Sequence, residues 1–392
     1  MIIDFPEGFV WGTSTAAHQT EGGNWNNDWW EFEHREGSGC RDVSADAVDH
    51  FWRYPDDIRL LADLGFGAYR FSIEWSRIEP EEGEYSVAAL EHYRRMLACC
   101  LEHDVLPVLT FHHFTTPRWL AARGGWAEPA IVDAFTRFCE RSVAALGDLI
   151  AIGCTINEPN IVSLMGYLSG VFPPGLHDFG AYPRANENLL AAHRRSYDAI
   201  KSGPGDFPLG MTLSMSEWWA PEGAEDKLAR SRHGHEGQFL EAARGDDYFG
   251  VQSYSRVRLD ENGMPTDPEP GVEVLDMGYE YWPQALEASI RYAAEVAQIP
   301  LYVTENGIGT TDDGQRIRFV TSALEGVRRC LDDGVDVRGY FYWSALDNFE
   351  WAYGYKPQFG LIAVDRETQL RTLKPSAQWL GGVARTNRLE EP

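Results

Sequence analysis

The chain of 392 residues is 44% hydrophobic and 13% aromatic, with 14 Trp and 38 Gly, which excludes a disordered or fibrous protein. Its 34 basic and 60 acidic residues leave a net charge of −26, so neither nucleic acid nor an anionic membrane is an expected partner. No run has the length of a membrane span, and "MIIDFPEGFVWG" lacks a basic region followed by an apolar stretch, so a cytoplasmic protein is expected.

Eight short, apolar, β-prone runs then follow one another, most of them separated by amphipathic helical patterns. "FVWGTSTAA" (9–17) leads to a helix over 50–65, with Gly65 as its stop. "GAYRFSIEW" (67–75) precedes a helix over 86–104, "VLPVLTFHHF" (105–114) one over 131–146, and "LIAIGCTINE" (149–158) one over 186–201. "PLGMTLSMS" (208–216) and "YFGVQSYS" (248–255) come next. Between them "SRHGHEG" reads as a Gly-broken polar loop, since His233 and His235 have no evident third partner for a metal. "DENGMPTDPEPG" (260–271) reads as a Pro/Gly connection, followed by a helix over 283–298 and "PLYVTEN" (300–306). A helix over 314–333, stopped by Gly334, "VRGYFYWSA" (337–345) and a helix over 375–384 complete the series. Near-continuous apolar strands suit a parallel sheet covered on both faces, and eight βα units close into a barrel. The expectation is therefore an α/β fold, a single (β/α)8 barrel over residues 1–392. A doubly wound open sheet is the alternative, but no Gly-rich dinucleotide or phosphate loop follows any strand.

Cys40, Cys99, Cys100, Cys139, Cys154 and Cys330 show no CxxC spacing and read as free thiols of a reducing compartment. Trp25, Trp29 and Trp30 read as core, and Trp218 and Trp219, after the fifth strand, as rim. No metal or cofactor is implied.

In a closed βα barrel, reactive groups gather where the strands' C-terminal ends meet. "LYVTENG" (301–307) delivers Glu305 to such an end, with Asn306-Gly307 read as a turn signal. Other runs supply Arg70, His112-His113, Asn157-Glu158-Pro159, Tyr254 and Trp343. A carboxylate there must be solvated, paired or used, because burying it alone costs several kcal/mol. Two glutamates across one mouth suit glycosidic hydrolysis, one as acid and base and the other as nucleophile, provided their environments differ. Arg70 near Glu305 favours its ionised form, while apolar surroundings and the Glu305 charge keep Glu158 protonated. His112 alternates to the far face of its strand and reads as a hydrogen-bonded histidine behind it.

These residues resemble glycoside hydrolase family 1, the retaining β-glucosidases and β-galactosidases with a TIM barrel fold, from "FPEGFVWGTSTAAHQTEG" to "TLKPSAQWL". "TINEP" resembles the family's acid/base signature and "VTENG" its nucleophile signature, which implies Glu158 as acid/base, Asn157 as contact to the sugar 2-hydroxyl and Glu305 as nucleophile. The resemblance further implies that Gln19, His113, Glu350 and Trp351 bind hydroxyls, that Trp343 is the sugar platform, and that Arg70 and Tyr254 hold the nucleophile beside the substrate. It implies an exo-acting β-glycosidase, most simply a β-glucosidase, acting on small β-glycosides or short oligosaccharides. The chain departs from the family in a shortened segment around 216–247, in a short loop after Glu305, and in His18, Gln252 and Gln358, where Tyr, Asn and Arg are usual. Alternative readings are a carbohydrate-binding protein on a decayed hydrolase scaffold, a transglycosylase, or a 6-phospho-β-glycosidase. Glu350 would repel the phosphate in the last.

Overall fold

The computed structural model describes residues 2–390. Eight parallel strands close into one barrel in sequence order: β1 (Val10–Ser14), β2 (Ala68–Ser72), β3 (Leu106–His112), β4 (Ile152–Asn157), β5 (Leu209–Trp219), β6 (Tyr248–Arg258), β7 (Leu301–Asn306) and β8 (Val337–Trp343). β8 pairs back onto β1, with Trp343 beside Ser14 and Ser14 beside Arg70 on β2. The open-sheet alternative is thereby excluded.

Each strand is followed by helix: α1 (His50–Leu64), α2 (Val87–Glu102), α3 (Ala130–Leu146), α4 (Ala181–Lys201), α5 (Glu225–Arg232, continued by Gln238–Ala242), α6 (Ala285–Ala297), α7 (Asp313–Asp332) and α8 (Pro375–Thr386). Local chemistry sets the ends. Ser86 and Asp312 accept the backbone N–H groups of Ala89 and Gln315 as N-caps of α2 and α7. Gly65 ends α1 in the left-handed region at φ 101°.

Side-chain alternation divides the strands between two cores. Ala68, Val108, Ile152, Tyr248, Tyr302 and Phe341 form a small separate cluster near the strands' N-terminal ends, on the face that two residues later presents Arg70. Their alternates, including Phe71, Leu109, Val251, Val303 and Tyr340, belong to the large core shared with the helices. The packed interior leaves the C-terminal mouth as the place for chemistry.

The structure differs from the sequence reading between β5 and β6. Both strands run past 216 and 255, pairing Glu217 with Arg256, Trp218 with Val257 and Trp219 with Arg258 beyond the rim. The polar alternation there ends the apolar run without ending the strand. "SRHGHEG" is no loop either: it forms a wide helical turn, His233–Gly237, within α5. A Cβ on Gly237 would lie 2.8 Å from the His233 ring, so this glycine serves close packing rather than a break. Two short antiparallel ribbons, Ile2–Asp4 with Arg388–Glu390 and Ile362–Val364 with Arg371–Leu373, lie outside the barrel. Among the described residues no helix is long and apolar enough to cross a membrane.

Candidate active site

The bottom of the mouth is a buried hydrogen-bond network built on strand ends. Arg70 on β2 donates through Nη1 to Glu305 Oε1 at 2.6 Å and through Nη2 to Asn157 Oδ1 at 2.5 Å. Tyr254 on β6 donates to the other Glu305 oxygen, also at 2.6 Å. Asn157 Oδ1 accepts two further bonds, from Gln252 Nε2 at 2.9 Å and Thr212 Oγ1 at 3.1 Å. Its Nδ2 faces His113 Nε2 at 3.3 Å.

Register places these groups side by side, and local irregularities aim them. Thr212 pairs with Asn157 and Gln252 with Glu305, each next to a register shift in its ladder. Gly307 is not among the glycines in the left-handed region, so its place is not explained by a turn that needs positive φ. A Cβ there would lie 1.9 Å from the Trp343 carbonyl oxygen, so only glycine lets β8 close against the end of β7.

The two reacting candidates sit in different surroundings. Glu158 follows Asn157 at φ 45° and ψ 59°, a left-handed conformation that turns its side chain out of the strand and opens a short helix, Pro159–Ser163. Burial pushes its carboxyl well above the ordinary carboxylate range, and the Glu305 and Glu350 charges add to this against the opposing Arg70 charge and Ser214 hydroxyl. Burial also raises Glu305, but there Arg70 and Tyr254 oppose it directly with charge and hydrogen bonds. Of the pair, Glu158 therefore holds a proton first. Glu350 is pushed to about 8 by burial and by the Glu305 charge, partly offset by hydrogen bonds from Trp343 and Gln19. Burial and the Arg70 charge hold His113 well below the usual histidine range, so its imidazole is neutral.

A cavity of about 290 Å³ opens over this floor, its inner wall formed by His113, Glu158, Tyr254, Glu305, Trp343, Glu350 and Trp351. Gln19 and Asn157 lie behind that wall, fully buried. Gln19 Nε2 bonds Phe349 O at 2.8 Å and Glu350 Oε2 at 3.3 Å, while its Oε1 has no protein partner. Flat rings line up nearby: His113 lies nearly parallel to Trp343 (15°) and to Trp351 (13°), and His18 stacks on Trp351. His18 thus fills an aromatic place as a ring, and Gln252 keeps an amide where it bonds Asn157. Gln358 contributes only its backbone oxygen, which accepts from Arg316 and Thr310.

Sequence reasoning gathered the strand-end residues into one site, and they do converge. It missed Thr212, which strand alternation on β5 could have found. It also missed the apolar side chains of the outer wall: Phe172 and Met277 lie in irregular segments without periodic signal, Ile161 in the short helix after Glu158, and Met215 and Val257 near or on the outer reach of β5 and β6. His112 is behind the strand, but it is not hydrogen-bonded: both ring nitrogens lack partners, and the ring packs edge-on against Trp126 at 5.0 Å. Trp29 is core, packed at 4.5 Å against Trp351, whereas Trp25 is exposed. Trp218 and Trp219 lie outside this cavity. His233 and His235 diverge, facing Glu241 and Asn160 respectively.

Comparison with known proteins gives the family and the fold's relatives. The β-glucosidase A of Acetivibrio thermocellus is 31% identical over 445 residues, covering 98% of this chain and 99% of that protein. The β-glucosidase A of Thermotoga maritima is 32% identical over 444 residues, covering both chains completely. These alignments exceed 392 residues, so the relatives carry segments that this chain lacks. A crystallised β-glycosidase, BGL167, is 46% identical with a TM-score of 0.92 over 99% of each chain. A Thermotoga maritima β-glucosidase solved with deoxynojirimycin gives 0.92 at 30% identity, over 99% of this chain and 100% of that one. The model of glycosyl hydrolase family 1 matches residues 1–257 and 251–389. With its family model matched almost from end to end and relatives aligned over their full lengths, the chain belongs to glycosyl hydrolase family 1.

Proposed function

We propose that the protein is a retaining, exo-acting β-glycosidase that releases terminal non-reducing β-D-glucosyl residues, with the whole chain acting as one catalytic domain. The observation that carries this reading is the contrast between the two carboxyls: Glu305 is clasped by Arg70 and Tyr254, while Glu158 is buried beside it without a bonded cation.

Ionised Glu305 attacks the anomeric carbon as Glu158 gives its proton to the departing glycosidic oxygen, so the C–O bond breaks as the ester bond forms. Glu158, now ionised, takes a proton from water, whose oxygen displaces Glu305 from the same carbon and restores both groups. Charge on Glu305 falls in the first step, which weakens its hold on Glu158's proton at the moment of transfer.

Glu350, Gln19 and His113 supply the directional polar groups for one sugar ring, and Trp343 supplies its platform. The outer wall is largely apolar, with Ser214, Ser216 and Arg256 among its residues, so most of what it contributes is contact without direction, about 25 cal/mol per Å². Sharp discrimination at the sugar hydroxyls and broad tolerance of the leaving group follow. Six unpaired cysteines suit a reducing, cytoplasmic setting.

Azide tests the two roles separately. In Glu305→Gly it attacks the substrate directly, and the product expected is the α-glycosyl azide, by single inversion. In Glu158→Gly the glycosyl-enzyme still forms from an activated substrate, and azide yields the β-glycosyl azide. Identical anomers from both variants would refute the assignment.

A further inference from the structure

Trp25 and Trp52 are 60% and 74% exposed, although Trp29, four residues after Trp25 on a short helix, is buried. Both indoles line a second cavity of about 430 Å³, between the loop after β1, the start of α1 and the first turns of α2. No residue lining it lines the catalytic cavity.

The wall of this cavity is organised. The Phe51 and His92 rings stack at 3.7 Å and 9°, and the Arg77 guanidinium sits 4.5 Å from the Phe51 centroid. His92 is 4% exposed, and its Nε2 has no partner. Arg95 stands exposed at the edge. In a chain with 60 acidic residues, none of the lining residues is Asp or Glu.

We propose that this cavity is an accessory saccharide-binding site, holding a pyranose ring against Trp25 and Trp52 apart from the catalytic centre. A pyranose offers apolar C–H faces and a hydroxyl edge. Indole faces match the first, and the exposed Arg95 guanidinium at the edge matches the second, with the His92 ring as part of the floor. Exposed tryptophans without such polar neighbours would suit any apolar surface; here Arg95 and His92 stand beside them. Arg77 is already held by the Glu21 carboxylate behind the wall, at 2.8 Å, whereas Arg95 has no ion-pair partner among the described residues and is the cation free for a hydroxyl. This site does not depend on the roles given to Glu158 and Glu305.

The test follows the indole N–H resonances of full-length Glu305→Gln protein during titration with cellobiose, with Trp25 and Trp52 assigned through Trp25→Phe and Trp52→Phe. Both resonances are expected to shift saturably. The same curve is expected when Glu350→Ala is added, because that change damages only the catalytic cavity. In the otherwise wild-type chain, Trp52→Ala should leave kcat/KM on an aryl β-glucoside within about twofold, as befits an exposed residue distant from the reaction, and when added to the Glu305→Gln protein it should abolish the Trp25 shift. Resonances that stay still, or that move in proportion to cellobiose without saturating, would overturn the proposal. So would a curve that vanishes with Glu350→Ala while the protein stays folded, since that would return the binding to the catalytic cavity. A saturable response to p-nitrophenol with none to cellobiose would make the site one for aromatic compounds and would equally overturn it.

Discussion

Arg70 Nη1 lies 2.6 Å from Glu305 Oε1 with both side chains almost entirely buried, and the same guanidinium reaches Asn157 with its other terminal nitrogen. One planar fork therefore fixes two strand ends at once. A lysine can follow one of these partners but not both. Arg70→Lys should lower kcat/KM about 10–100-fold, the worth of one charge-assisted hydrogen bond. Arg70→Met should also destabilise the fold by about 3–5 kcal/mol, because it leaves a buried carboxylate without its counter-charge. Steady-state kinetics and denaturant unfolding measure the two effects.

Glu158 must be protonated to act as an acid, and burial with the neighbouring carboxylates keeps it so. Activity should fall on the alkaline side as this raised pKa is passed. Glu158→Gln should remove that alkaline limb. Its kcat/KM should drop about 10²–10⁴-fold for an alkyl β-glucoside, whose leaving group needs a proton, and far less for a dinitrophenyl β-glucoside. Comparing the two substrates across pH checks the assignment.

Glu350 gives a stability effect of definite sign. Its pKa is raised from 4.5 to about 8 in the folded protein, so the folded state binds the extra proton. The stability this contributes is fully present below the unfolded value and is lost as pH rises through the folded value. Glu350→Gln cannot ionise. Relative to the wild type it should gain on the order of 3–4 kcal/mol between about pH 5 and about pH 8, read from urea midpoints at the two pH values.

Gly307 is tested by adding one methyl group. Its Cβ would meet the Trp343 carbonyl at 1.9 Å, backbone against backbone, where no rotamer can give way. Gly307→Ala should cost about 1–3 kcal/mol of stability and lower kcat more than Ala substitutions in the outer wall. Thermal unfolding and kinetics on one aryl glycoside suffice.

The barrel was legible because each β run is apolar and bounded, and the strand ends carried chemistry that a core would not tolerate. Legibility failed where polarity and packing diverge. Glu217 and Arg256 hid the outer reach of β5 and β6, whose pairing continues on exposed polar alternation. Gly237 helped hide a helix, since a glycine chosen for a tight contact looks in sequence like one chosen to stop, and Gly234, with open space around it, lent the stretch the same look. Asn306-Gly307 looked like a turn for the same reason. Which of three neighbouring tryptophans was exposed depended on the loop path after β1, and no periodicity encodes that.

Glu158 occupies a backbone conformation in which a residue other than glycine carries about 1–3 kcal/mol of strain, and its carboxyl is buried as well. Glycine or asparagine would suit that backbone better. Neutral drift governed by stability alone runs away from glutamate at this position. A lineage that had ceased to turn over its substrate would shed this side chain early.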